Sequence, residues 1–240
     1  MSQALEQHTL VSPPKLSRWL SIAWRMLFLP LVFLVPAGTW RWWEAWVLTA
    51  VYLGYAIGIG LYLSRHDPAL LAERLKASPV QKGQKAWDKV VMSVMVVAGL
   101  SLMIVPGLDV VRFGWSEPLP LWVRLVGLVV QVPAFFFVGL VMRENTFLAR
   151  VVKIDAGRGH GVITTGPYAL VRHPMYLAVL VIIVAMPLAL GSRYGLIPAL
   201  VMAALLVLRT ALEDRTLHRE LPGYPEYAQQ TRFRLLPGIW

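Results

Sequence analysis

The chain has 240 residues, of which 57% are apolar and only 15% are charged. Soluble domains carry about 25% charged residues, so this composition argues against a soluble globular protein. The absence of cysteine excludes disulfides, a thiolate nucleophile and a cysteine-ligated metal. The net charge of +10 lies in short connections between apolar runs, so we expect membrane lipids as partners and no nucleic acid.

Six apolar segments follow one another along the chain. Each of the first four approaches the ~20 residues that a helix needs to cross the ~30 Å hydrocarbon core of a bilayer. The last two are shorter and are separated only by Gly191-Ser192-Arg193, which predicts a tight helical hairpin that either spans incompletely or continues into polar turns. A single merged segment is the alternative. The segments are Trp19–Ala37, Trp43–Leu63, Val90–Leu108, Leu121–Met142, Met175–Leu190 and Tyr194–Leu208.

The basic residues divide unequally between the two ends of these segments. With six spans, one side receives 18 lysines and arginines and the other receives 4. Cytoplasmic loops carry the excess of basic residues, so both termini are expected in the cytoplasm. Tryptophans near the sparse side are expected to form an interfacial aromatic belt; they are Trp40, Trp42, Trp43, Trp46, Trp115 and Trp122.

The predicted fold class is therefore an all-α, polytopic transmembrane protein of about six spans with a cytoplasmic C-terminal helical region. Two parts are distinguished. Residues 1–141 hold the first four spans, and residues 142–240 hold a loop, the helical hairpin and a C-terminal helix. Most of the ionisable residues that could carry chemistry fall in the second part.

The string Val171-Arg172-His173-Pro174-Met175-Tyr176 marks the start of the fifth segment. Proline is favoured at the first turn of a helix, where its missing N–H costs nothing. Arg172 and His173 are therefore predicted at the mouth of a helix, with Tyr176 one turn inside. A helix N-terminus binds carboxylates readily. The alternative is that Arg172 anchors to lipid headgroups and His173 only caps the helix.

Arg209 and Glu213 lie four residues apart at the end of the sixth segment, with Asp214 beside them. An ordinary helical ion pair, worth about 0.3–0.5 kcal/mol, is one interpretation. However, charged groups next to a membrane helix are costly unless they face a polar cavity. We therefore predict an enclosed pocket framed by Arg172, His173, Tyr176, Arg209 and Glu213.

Three glycines interleave with Arg158 and His160 just upstream. The spacing is not a dinucleotide-binding fingerprint, and no βαβ unit surrounds it. The interpretation is a flexible cationic loop that brings backbone N–H groups close to a polar ligand. Metal binding by His160, His173 and His218 lacks any motif spacing, so no metal is expected.

Taken together, these residues resemble a known family. The string GPYALVRHPMY is followed, after the hairpin, by R-x-x-x-E-D-x-x-L and then by GYPEYAQQTRFRLLPG. This order resembles the isoprenylcysteine carboxyl methyltransferases and related bacterial phospholipid-methyltransferase-type membrane enzymes, over about the last 100 residues. The resemblance implies S-adenosylmethionine (SAM) as cofactor in a cytoplasm-facing pocket. It also implies a lipophilic methyl acceptor that enters from the bilayer, in the inner membrane of a bacterium or the endoplasmic reticulum of a eukaryote.

The resemblance also implies roles for single residues. Arg209 matches the arginine that binds the acceptor carboxylate, and Arg172 is placed with it among the catalytic residues. Two departures from the family pattern are Asp214, where a second glutamate is usual, and Lys153, near a usual glutamine. The expected cofactor contacts are His160, Gly161, Val162, Ile163, Tyr168, His173, Pro174, Met175, Tyr176 and Glu213.

Several alternatives stay open. Within the methyltransferase hypothesis, the acceptor is a prenylcysteine, a small isoprenoid acid or the amine of a phospholipid. A membrane reductase of the steroid-reductase type, with NADPH as cofactor, has a similar topology. A membrane scaffold without catalytic activity is the remaining alternative.

Overall fold

In the computed structural model, the described residues are 16–75, 84–146 and 161–240, with side chains described from residue 26 onward. Within these ranges all regular secondary structure is helical. The helices are α1 (Leu16–Ala37), α2 (Trp43–His66), α3 (Pro68–Arg74), α4 (Ala86–Gly107), α5 (Leu121–Glu144), α6 (Pro174–Ala189), α7 (Leu196–Glu220) and α8 (Tyr224–Gln230). A π-helical stretch, Leu108–Phe113, prolongs α4, and a short 3₁₀ helix, Gly166–Ala169, precedes α6.

Four of these helices are long and apolar enough to cross a membrane: α2, α4 with its π-helical extension, α5 and α7. Among the residues with described side chains, two further apolar helical stretches are shorter, Met26–Ala37 of α1 and α6. Large apolar side chains such as Val129 and Phe136 of α5 lie exposed on the outside of the bundle, where lipid is the natural solvent. The all-helical membrane fold is confirmed, and the count of six spans stays a prediction.

The predicted hairpin consists of two separate helices, α6 and α7, so the merged segment is wrong. The turn between them is tied down by Asp109, a buried residue of the π-helical stretch. Its Oδ2 accepts hydrogen bonds from Ser192 Oγ at 2.6 Å and from the Tyr194 backbone N–H at 3.2 Å. The second helix runs past the apolar segment that ended at Leu208 and continues through polar turns to Glu220.

The tightest packing in the bundle joins α5 to α6. Gly127 of α5 lies so close to Ala189 of α6 that a Cβ added there would be 2.4 Å from the Ala189 backbone nitrogen. Only glycine allows this approach. The contact fixes the position of α6 relative to the rest of the bundle.

The tryptophans lie at the end of the bundle where α2 and α5 begin. Five of the six predicted belt residues are exposed, consistent with an interfacial position. Trp42 is the exception, because it is buried in the apolar core beside Ala45 and Leu48. At the opposite end, α4 and α6 begin and α2, α5 and α7 finish. There the segment after α8 lies against the start of α6. The backbone N–H groups of Arg172 and His173 donate to the carbonyls of Phe233 and Arg234, both at 2.9 Å.

Candidate active site

Asp214 is the centre of a buried polar cluster at this end of the bundle. Its Oδ1 accepts hydrogen bonds from Arg172 Nε and from the Tyr224 hydroxyl, both at 2.9 Å. Its Oδ2 accepts from Arg234 Nε at 2.8 Å and from Arg172 Nη2 at 3.2 Å. A buried carboxylate is tolerated only when it is paired in this way. Asp214 therefore joins α7 to the start of α6, to α8 and to the C-terminal segment.

Arg172 is buried and bonded within the protein on several sides. Besides its two-point contact with Asp214, its Nη1 lies 3.2–3.3 Å from the carbonyl oxygens of Ala228, Thr231 and Arg232. The planar guanidinium suits such a fixed fork geometry. The observed contacts of Arg172 hold the C-terminal segment against α6, and its predicted catalytic role stays a prediction.

His173 occupies the N-cap position of α6 without a capping side-chain hydrogen bond. Its Nε2 lies 3.4 Å from Asp214 Oδ1 and 3.5 Å from the Tyr224 hydroxyl. The imidazole is stacked on the Tyr176 ring, with centroids 5.7 Å apart and planes 6° apart. The two rings together form a flat aromatic wall one turn into α6.

Tyr176 connects the two residues that the sequence singled out on α7. Its hydroxyl donates to Glu213 Oε2, and the Arg209 guanidinium carbon lies 5.4 Å from the centre of its ring. A cation at this distance is attracted to an aromatic face. Arg209 and Glu213 therefore both contact Tyr176, and the enclosed pocket that they were expected to frame stays a prediction.

The pairing of Arg209 was not anticipated. Its Nε donates to Asp88 Oδ1 of α4 at 2.8 Å. Asp88 is fully buried in the first turn of α4. The sequence could have shown that Asp88 needs a partner but not which one, because an acidic residue at the end of an apolar span must be paired with a cation or face a polar cavity.

The other predicted cofactor contacts differ in their burial. Tyr168 is buried, its hydroxyl accepts from Asn145 Nδ2 at 2.8 Å and its carbonyl accepts from the Tyr227 hydroxyl at 2.7 Å. Gly161 is exposed. Met175 belongs to an apolar cluster under the site, and the partly buried Val162 and Ile163 pack against this cluster. Pro174 is buried. His160 and the rest of the glycine-rich loop before Gly161 lie outside the described residues.

The tyrosines of α8 are held in the neutral form. Burial, reinforced by the charge of Asp214 and by the hydrogen bond to it, raises the pKa of Tyr224 far above its usual value. Burial likewise raises the pKa of Tyr227 to about 12. Both hydroxyls therefore remain donors across the physiological pH range.

The functional groups of the site suit a ligand that carries a cation, a flat ring and an anion. The half-buried Glu213 carboxylate suits an ammonium or sulfonium group, and the aromatic wall of His173 and Tyr176 suits a flat base or a cation. Arg209 suits an anion, for which the guanidinium offers a bidentate fork. Among the residues that the structure describes, no cluster of three or more histidine, aspartate or glutamate side chains is arranged to hold a metal.

The isoprenylcysteine carboxyl methyltransferase family model matches residues 125–219. The match covers about two fifths of the chain. It confirms the resemblance noted in the sequence over this region, and it supports a membrane methyltransferase. The matched region runs from α5 to the end of α7, so it includes Arg172–Tyr176 and Arg209–Asp214. It excludes α4, with Asp88, and α8.

Proposed function

We propose that this protein is an integral membrane, SAM-dependent methyltransferase that methylates the carboxylate of a lipophilic acceptor of the isoprenylcysteine type. One observation carries this proposal: Tyr176 contacts both Arg209 and Glu213 in the C-terminal half of α7. Tyr176 is thus contacted by an arginine, which can bind a carboxylate, and by a glutamate, which can bind a cation. A donor and an acceptor of opposite charge could be held side by side there.

In this proposal Glu213 holds the ammonium group of SAM through a charge-assisted hydrogen bond. The His173–Tyr176 wall faces the adenine or the sulfonium. Further contacts proposed from the family pattern are His160, Gly161, Val162, Ile163, Tyr168, Pro174 and Met175. SAM, when bound, supplies an electrophilic methyl group.

The residues need little acid–base chemistry, because an ionised carboxylate is already a nucleophile. Arg209 aligns the acceptor carboxylate through its planar fork. The apolar cluster beneath the site, with Val138, Met142 and Ala178 among its members, excludes water and offers a wall for a prenyl or acyl tail. The tail reaches the site from the bilayer, along the exposed apolar surfaces of the helices.

A phospholipid amine is the second candidate acceptor. The observation that favours it is the pairing of Arg209 with Asp88, because this pairing offsets the positive charge that would repel a protonated amine. In that case Arg209 serves as a phosphate anchor or as a structural residue.

Methyl transfer from labelled SAM tests the proposal. The purified protein in detergent would be incubated with methyl-labelled SAM and a membrane lipid extract, with heat-inactivated protein as control. We expect label in a lipophilic product that loses it as methanol in mild base, as a methyl ester does. Base-stable label in a phospholipid headgroup would establish the amine acceptor instead, and no enzyme-dependent label would contradict a methyltransferase.

A further inference from the structure

A buried carboxylate outside the matched family region contacts the proposed acceptor-binding arginine. Asp88 is 0% exposed, and its Oδ1 accepts the hydrogen bond from Arg209 Nε at 2.8 Å. Its Oδ2 accepts from Gln84 Nε2 at 2.9 Å. Both oxygens of Asp88 are therefore held, so the carboxylate presents a fixed direction to Arg209.

This contact restricts the orientation of the guanidinium. The Nε–H bond lies in the plane of the guanidinium group, so a fixed acceptor at Nε limits rotation of that plane. The guanidinium carbon also lies over the Tyr176 ring, 5.4 Å from its centre, so the ring further limits the movement of the guanidinium. The hydroxyl of the same tyrosine donates to Glu213. A chain of contacts thus runs from Asp88 through Arg209 and Tyr176 to Glu213.

A second ion pair joins the same two helices and has none of these features. Lys85 Nζ lies 2.6 Å from Glu220 Oε2, and both side chains are substantially exposed. It connects the start of α4 to the end of α7, as the Asp88–Arg209 pair does, but it lies away from Tyr176 and Glu213. Exposed pairs of this kind contribute little to stability. The Lys85–Glu220 pair is therefore a matched reference for the simple attachment of α4 to α7.

We propose that Asp88 is a positioning residue for methyl transfer, which acts by fixing the plane of the Arg209 guanidinium. The inference rests on the proposed function and assigns part of the site to the N-terminal half of the chain. Asp88 does not touch the acceptor. It keeps the fork of Arg209 aligned with the acceptor carboxylate. It also offsets the positive charge of Arg209, so that the acceptor carboxylate is oriented without being held too tightly to react.

Asp88→Asn tests this role, because it preserves the shape of the side chain and removes its charge. The acceptor would be N-acetyl-S-farnesylcysteine, an S-prenylated acid, with labelled SAM and the full-length protein in detergent. We expect kcat to fall about ten-fold or more, the loss typical of one charge-assisted hydrogen bond. SAM affinity measured by calorimetry should stay within about two-fold of wild type. Lys85→Ala is the control and should leave kcat, KM and SAM affinity unchanged.

Combination with Arg209→Lys separates positioning from a merely structural role. If Asp88 acts through Arg209, the double variant Asp88→Asn/Arg209→Lys should be no slower than the slower single variant. Multiplied losses in the double variant would overturn the proposal. So would an unchanged kcat in Asp88→Asn, or a loss of SAM affinity as large as that of Glu213→Ala.

Asp88→Glu covers the case in which the asparagine variant does not fold. It keeps the charge but is one methylene longer, so it should bind SAM as wild type does and still lose turnover. Wild-type turnover in Asp88→Glu would contradict a requirement for a fixed guanidinium plane. If the wild-type protein itself does not methylate N-acetyl-S-farnesylcysteine, the carboxyl methyltransferase proposal fails and this inference fails with it. If the wild-type protein is active and Asp88→Asn has the same kcat, only the inference about Asp88 is overturned.

Discussion

Among single residues, Asp214 and Arg209 differ in what surrounds them although both are buried in α7. Asp214 is enclosed by Arg172, Arg234 and Tyr224 and has the contacts of a structural centre. Arg209 contacts Asp88 through Nε and lies over an aromatic ring. Removal of one partner from a buried ion pair is costly, because the other charge is left uncompensated. Changes at Asp214 are therefore expected to act mainly on folding, whereas Arg209→Lys, which keeps a positive charge opposite the buried Asp88, is expected to act mainly on chemistry.

Arg209→Lys separates cofactor binding from turnover. Lysine keeps the positive charge but loses the planar fork, so it cannot hold Asp88 and align an acceptor carboxylate in the same way. The variant should bind SAM nearly as well as wild type while kcat falls by ten-fold or more. Calorimetry and labelled methyl transfer measure the two effects.

A mild loss of turnover in Arg209→Lys would favour a phospholipid amine as the acceptor, since a phosphate anchor tolerates lysine. A loss of SAM affinity equal to that of Glu213→Ala would contradict the division of roles between Arg209 and Glu213.

At the scale of the helices, the site depends on how α6 is held. α6 carries His173 and Tyr176 in its cap and first turn, and its far end packs against α5 at Gly127. The near end is bound by the C-terminal segment through the backbone of Arg172 and His173. A helix of 16 residues fixed at both ends offers a rigid support for the aromatic wall.

Gly127→Ala tests the α5–α6 contact. The added methyl group would be 2.4 Å from the Ala189 backbone nitrogen, and overpacking of this kind costs about 1–3 kcal/mol. We expect a lower thermal unfolding midpoint of the protein in detergent. Gly139→Ala is the matched control on the same helix, because its Cβ would meet only Ile59 Cδ1, at 4.0 Å. Equal midpoints in the two variants would contradict the close approach of α5 and α6.

The helices could be predicted from the sequence because their signal is local. Each apolar run marks a helix, and Pro174 marks the start of α6 at its N1 position. The continuation of α7 beyond Leu208 was predicted only as one of two alternatives, because the polar residues there lower the hydropathy without interrupting the helix. The Asp88–Arg209 pair could not be deduced, since it joins residues 121 positions apart and no local pattern specifies which distant cation a buried acid meets.

For the whole molecule, charge and aromatic residues divide between the two ends of the bundle. The proposed site lies where α4 and α6 begin and α7 ends, and this is the end that receives the excess of basic residues in the six-span prediction. The exposed tryptophans lie at the other end. Both observations agree with a site that faces the cytoplasm.

Reporter fusions test this orientation. A reporter attached after Trp240 should be active on the cytoplasmic side, and one inserted at the turn between α6 and α7, after Arg193, should report the opposite side. Insertion at the turn is the internal control, because helices α1 to α6 precede both fusion points and only α7 and α8 lie between them. An extracytoplasmic signal from the Trp240 fusion would contradict the proposed orientation.

Calorimetric titration of the purified protein with SAM tests the central claim most directly. Wild-type protein should bind SAM saturably and should not bind NADPH. Glu213→Ala should bind SAM at least about ten-fold more weakly, as expected for the loss of one charge-assisted hydrogen bond. Glu226→Ala, which removes an exposed acid on α8, should bind it as wild type does. Absence of SAM binding by the wild type, or equal affinity in Glu213→Ala, would contradict a SAM site at the end of α7.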